Sequence, residues 1–168
     1  MDSNLERYLN DHLAGSSGAI NLIASLATAS DDPTQSQFFR ELEAKVEKDR
    51  ELLKSLLQKI GQCDSGILQV AGSLTEKAGR LKLMWEGLGP GRLGMFEALE
   101  MLCLGIQGKR LLWRLLARVS GQIPEWTEVD FAALEGEAAA QRDAVEEYRM
   151  QAGVDALIDG ERANGTAS

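Results

Sequence analysis

The chain has little of what most site chemistry depends on. In 168 residues there is one histidine, His12, and there are two cysteines, Cys63 and Cys103. The cysteines share no metal-type or redox-type spacing, so no disulfide framework is implied. Cys103 falls in an apolar helical stretch and reads as a small core residue; Cys63 falls in a polar turn. Aromatic residues make up only 5% of the chain, and no run alternates apolar and polar for long, which argues against strands. No apolar run approaches the roughly 18 residues that a membrane span needs. The start, "MDSNLERYLNDHLAG", carries acids among its first residues and lacks a basic-then-apolar signal pattern, so a cytoplasmic protein is expected. Basic charge is also short: 18 Lys and Arg stand against 26 Asp and Glu, a net charge of −8. That argues against a nucleic acid or an anionic membrane as the main partner, and neither is expected. The basic clusters "KAGRLK" (77–82) and "GKRLLWRLLAR" (108–118) read as solvated faces and ion pairs at bundle ends. No Ser–His–Asp set, activated cysteine or paired-carboxylate arrangement stands out. "GLGPGRLG" (87–94) shares only composition with phosphate-binding loops, because no strand precedes it and the Gly-Lys-Ser/Thr ending is missing. It reads as a hinge.

What the chain does have is helical period. The stretch "FFRELEAKVEKDRELLKSLLQKIG" (38–61) places Phe39, Leu42, Val46, Leu53, Leu56 and Ile60 on one face. The slot between Val46 and Leu53 belongs to a carboxylate, Asp49. Four long helices are expected. The first runs from about Ser3 to Ala29, with Ser3 and Glu6 in a capping-box pattern. The second follows "SDDPTQ" (30–35), where Asp32 can cap and Pro33 suits a first turn, and runs to Ile60. The third covers about Arg92 to Ser120. After the turn "GQIPEWTEVD" (121–130), in which Thr127 or Asp130 can cap, the fourth runs to about Ile158. A shorter amphipathic helix is expected from Ser65 to Leu83.

The long helices are matched, each about 40 Å at 1.5 Å per residue. Short links make the first and last pairs antiparallel hairpins. The link of about 30 residues between them can run the length of a bundle and bring the third helix parallel to the second. The expected fold is all-α: a four-helix bundle of two antiparallel hairpins joined by a long crossover that contains a short extra helix. One domain is expected over 1–159, with a polar, disordered tail over 160–168. A simpler bundle with the short helix as an equal member is the alternative.

On these grounds, and on the stretches "YLNDHLAGSSGA", "EKAGRLK" and "LGIQGKRLLW", the chain resembles the ferritin-like superfamily over nearly its whole length. More narrowly it is similar to an uncharacterised bacterial ferritin-like group. The resemblance implies a mid-bundle di-metal site built from one Glu on each of two helices and a Glu-x-x-His pair on each of the other two. At the corresponding level this chain offers Ser16, Val46, Asp49, Ile106 or Lys109, Ala138 and Gln141. With one histidine, two Glu-x-x-His motifs are impossible in any register. No metal and no cofactor are therefore expected.

Asp49 then belongs to a polar layer. Folding each hairpin about its turn brings Ser16, Asp49, Lys109 and Gln141 to one level, with His12 adjacent. A buried carboxylate needs a partner. Lys109 is the first candidate, His12 the second, Ser16 and Gln141 can donate hydrogen bonds, and Arg110 replaces Lys109 if the third helix slips by one residue. The layer reads as a network that fixes helix register. Alternatively it is a small-ligand or proton-transfer site built from Asp49, His12 and Lys109, or a single-metal site using His12, Asp49 and neighbours such as Glu43, Glu47, Glu97 or Glu100. The function expected is a non-catalytic binding or interaction module, with an enzyme or metal-dependent oxidoreductase as the alternative. A cavity beside Asp49 would favour a ligand or proton-transfer site; a dry, fully packed layer would favour a structural one. A homodimer is expected, because the short helix with Trp85 and Trp126 offers apolar area beyond the needs of four helices.

Overall fold

The structure, a computed structural model, describes residues 3–61 and 91–158. The expected short helix over 65–83, Cys63, Trp85 and the tail over 160–168 lie outside the described residues. Those described form four long helices: α1 (Ser3–Ala29), α2 (Pro33–Gly61), α3 (Arg92–Val119) and α4 (Phe131–Leu157). They are all-α, and among them no helix is long and apolar enough to cross a membrane.

The ends follow from capping chemistry. Pro33 opens α2 without wasting a backbone donor, and the Asp32 carboxylate accepts the Thr34 N–H at 2.8 Å. Of the two expected caps for α4, Asp130 serves: its carboxylate accepts the Ala133 N–H at 2.9 Å. Gly91, just before α3, has φ +103°, a left-handed conformation that would strain any other residue. Between α3 and α4 the chain makes two 3-10 turns, Ser120–Gln122 and Pro124–Trp126.

Contacts fix the helix directions. Ser36 donates to the Ala27 carbonyl, and Arg50 reaches Ser16 and Ser17, so rising numbers on α2 meet falling numbers on α1. Arg149 pairs with Glu100 and Arg110 with Glu135, so α3 and α4 are antiparallel as well. Phe39, Leu42 and Val46 share one apolar cluster with Leu99, Leu102 and Ile106. Leu53, Leu56 and Ile60 share another with Leu112, Trp113 and Leu116. Helices α2 and α3 therefore run the same way. Each of these large side chains contributes roughly 1.5–3 kcal/mol by leaving water. The core thus has two halves, and the level that parts them falls between Val46 and Leu53 on α2, Ile106 and Leu112 on α3, and Ala138 and Val145 on α4.

One expectation needs correction. Trp126 does not supply the spare apolar area expected of it: it is fully buried, and its indole N–H donates to the Leu56 carbonyl at 3.2 Å. It pins the α3–α4 turn onto α2 and offers no surface of its own to a partner.

Candidate functional site

The level between the two core halves is polar, and its centre is Lys109. The ammonium donates to Asp49 Oδ2 at 2.6 Å and also to Gln141 Oε1. The Lys109 and Asp49 side chains are only 14% and 11% exposed. Three helices are joined here by one cation: α2 supplies the carboxylate, α3 the ammonium and α4 the amide. Burial lowers the Lys109 pKa, while Asp49, by charge and hydrogen bond, and the more distant Glu137 charge pull it back up. Arg110, the alternative cation, pairs instead with Glu135 at 2.5 Å.

Ser16 lies at the expected level but belongs to a second, adjoining group. It donates to the Leu13 carbonyl at 2.7 Å and accepts from Arg50 Nε at 3.1 Å. Arg50 Nη2 donates to Ser17 Oγ at 2.8 Å. Asp49 and Arg50 are consecutive, and a helix turns about 100° per residue. The carboxylate is therefore used toward α3 and the guanidinium toward α1.

His12 is brought near but not into hydrogen bonding with Asp49. Its ring meets the Tyr8 ring edge-on, with centroids 4.8 Å apart. Burial lowers the His12 pKa below its ordinary 6.5, opposed by the nearby Asp11 charge, so the imidazole is neutral at neutral pH.

Beside these groups lies a cleft of about 460 Å³ between α1, α2 and α3. Its polar wall contains Tyr8, Asp11, His12, Ser16, Asp49, Arg50 and Lys109; the rest is apolar, with Ala19, Leu22, Val46, Met101, Leu104, Ile106 and Trp113. Small residues make the space. Gly15 on α1 and Gly105 on α3 both line the cleft, and a Cβ added at either would meet nothing within 4 Å. This volume is within the range of small-molecule sites, about 300–1,000 Å³.

The donor set does not suit a di-metal centre. Among the described residues Asp49 is the one buried carboxylate at this level, it is already bound to an ammonium, and a second cation, Arg50, stands next to it. Among the described residues no three His, Cys, Asp or Glu side chains converge as a metal site would need. Glu47, Glu97 and Glu100 face solvent.

No protein-family model, curated protein or solved structure matches this chain.

Sequence reasoning missed Arg50 and the cleft. The signal for Arg50 was its place one turn after Val46, on the flank of the seam, opposite the Ser16–Ser17 pair. The signal for the cleft was the run of small residues Gly15, Ser16 and Ala19 on α1, with Gly105 near the middle of α3.

Proposed function

We propose that this chain is a ferritin-like bundle whose mid-bundle level serves a small, largely apolar ligand in place of a di-metal centre. The ferritin-like part is supported by two antiparallel hairpins, by parallel α2 and α3, and by the roughly thirty residues between Gly61 and Arg92, enough for a crossover. The binding part rests on one observation: the cleft of about 460 Å³ opens directly onto the Asp49–Lys109 pair. A layer serving only helix register has no need of empty space beside it. Glycine inside a helix costs roughly 0.5–1 kcal/mol relative to alanine. A Cβ at Gly15 or Gly105 would meet nothing within 4 Å, so packing does not demand glycine there, and what it provides is room.

The test is a titration with N-phenyl-1-naphthylamine, a neutral probe that fluoresces in apolar surroundings. The wild type should bind it saturably. Gly105→Trp, which fills the cleft, should abolish binding while leaving the helical circular dichroism intact. Gly136→Trp, on α4 and away from the cleft, should bind as wild type. Absence of saturable binding by the wild type, or equal binding by Gly105→Trp, refutes the proposal.

A catalytic second reading draws on one further observation. Two groups with lowered pKa, His12 and Lys109, line the same cleft, as acid–base groups in enzymes often do. It requires that a bound molecule be converted, so recovery of every bound molecule unchanged after long incubation counts against it.

A further inference from the structure

Among the described residues, the charges at the polar wall are unevenly paired. Among the described residues, two cations, Lys109 and Arg50, stand here against one buried carboxylate, Asp49; the other acid of the cleft wall, Asp11, is exposed. Lys109 takes that carboxylate at 2.6 Å. Arg50 is held by hydroxyl groups alone: among the described residues its polar contacts are Ser16 Oγ at 3.1 Å and Ser17 Oγ at 2.8 Å. A hydroxyl orients a guanidinium but does not neutralise it. A guanidinium has five N–H donors, so two serines leave most of its hydrogen-bonding edge unspent. Lys109 likewise has a third N–H beyond those given to Asp49 and Gln141. Two further acids stand nearby among the described residues, Asp11 and Glu137. Asp11 also lines the cleft, but it is exposed and lies more than one helical turn from Ser16. Glu137, on α4, acts on Lys109 only through space and is exposed too. Both are therefore screened by water and salt.

We propose, resting on the reading of the cleft as a ligand site, that its ligand is a small monocarboxylic acid with an apolar body, whose carboxylate pairs with Arg50. The apolar body lies along Ala19, Leu22, Met101 and Leu104, and Gly15 and Gly105 let it approach the α1 and α3 backbones. Arginine suits this role because its planar fork matches a carboxylate, and the two serines fix the plane of that fork before the ligand arrives. Leu104, 62% exposed, stands where the apolar body would cover it. Arg50 also borders a second, smaller cavity with Asn10, Lys54 and Gln58. The apolar wall of that cavity, Leu13, Ala14 and Leu57, is smaller than that of the main cleft.

The experiment is displacement of bound N-phenyl-1-naphthylamine by decanoate, 2-naphthoate, decanol and decylamine. A hydrogen bond to a charged partner contributes about 1.5–3 kcal/mol, so an acid should displace the probe about ten-fold or more better than decanol, and decylamine worse than either. Decanoate against 2-naphthoate reads whether the body is a chain or a ring. Arg50→Gln should still bind the neutral probe, which shows that it is folded with the cleft intact, yet lose the preference for acid over alcohol. Arg50→Lys keeps the charge without the fork and should retain only part of that preference. Asp11→Asn should leave the order of the four compounds unchanged. The inference is overturned if decanol competes as well as decanoate, if decylamine competes best, if Arg50→Gln keeps the acid preference, or if Gly105→Trp still binds decanoate. Those results leave the cleft as a site for some other ligand. Failure of the wild type to take up the neutral probe overturns both readings together.

Discussion

Removing Asp49 should strongly destabilise the fold. At 2.6 Å the Coulomb attraction between Asp49 and Lys109 is about 6 kcal/mol with an effective dielectric of about 20. Taking both ions out of water costs several kcal/mol each, so the pair as a whole contributes little over apolar residues of the same size. A single deletion is another matter, because it leaves the remaining charge buried without its counterion. With both side chains no more than 14% exposed, Asp49→Ala should cost about 3–5 kcal/mol. Lys109→Met should cost at least as much, since it strips the donor from both Asp49 and Gln141. The double variant Asp49→Leu with Lys109→Met should recover most of the loss. Gln141→Leu added to it should recover more, because the amide then has no ammonium to serve. The assay is urea unfolding of wild type, both single variants and the combinations, followed by helical circular dichroism at neutral pH. A cost below about 0.5 kcal/mol for Asp49→Ala, typical of a surface change, would refute the reasoning. So would single losses that simply add in the double variant.

Other predictions follow from single groups. Gly15→Ala and Gly105→Ala should each raise stability by about 0.5–1 kcal/mol, since the new methyl meets nothing; Gly153→Ala should not, because its Cβ would lie 3.0 Å from the Phe96 ring, over which Arg149 sits. His12 is the single histidine of the chain, so its proton NMR signals need no assignment, and they should titrate below pH 6.5. Because the folded-state value is the lower one, its contribution to stability is full above pH 6.5 and is lost as pH falls toward the folded value, a loss that His12→Gln should remove. The Cys103 thiol is pushed up to about 11 by burial first and by Glu146 second, to whose carboxylate it donates at 3.6 Å. At pH 8 its alkylation, followed by peptide mass spectrometry, should therefore be about a hundred-fold slower than in the unfolded chain. Protein purified without chelators should carry no stoichiometric iron, manganese or zinc by elemental analysis; two tightly bound metals per chain would overturn the reading of the donor set.

Much of the architecture was legible because the governing signals are local. The three-and-four spacing along α2 fixes its buried face, Asp32 and Asp130 mark helix starts, and short links force neighbouring helices to be antiparallel. The α3–α4 link brings Lys109 and Gln141 to one level, because once the turn is placed a hairpin pairs residues equidistant from it, and the matched helix lengths bring Asp49 of the other hairpin to that level. Ser16 bonds Leu13 and Arg50 rather than Asp49, and the His12 ring meets Tyr8. Level depends on distance along the axis, whereas partner depends on rotation about it, and a seam drawn as a line cannot resolve a 100° step between Asp49 and Arg50. The cleft was not legible for a different reason. It is bounded by α1 and α3, which are distant in sequence, and it consists of space left where Gly15, Ala19 and Gly105 fall opposite one another. Periodicity records which side chains are apolar, not which pairs of helices leave a gap.

The central claim is that the space beside Asp49 and Lys109 receives a ligand. Backbone amide and indole N–H shifts of uniformly labelled protein, recorded as N-phenyl-1-naphthylamine is added, test it most directly by locating the bound probe. The account predicts the largest changes at Gly15, Ala19, Met101 and Gly105 and at the Trp113 indole, a cleft residue whose buried N–H has no partner among the described residues. Changes confined to the exposed apolar side chains Met150, Val154 and Leu157 of α4, with the cleft residues unmoved, would contradict it.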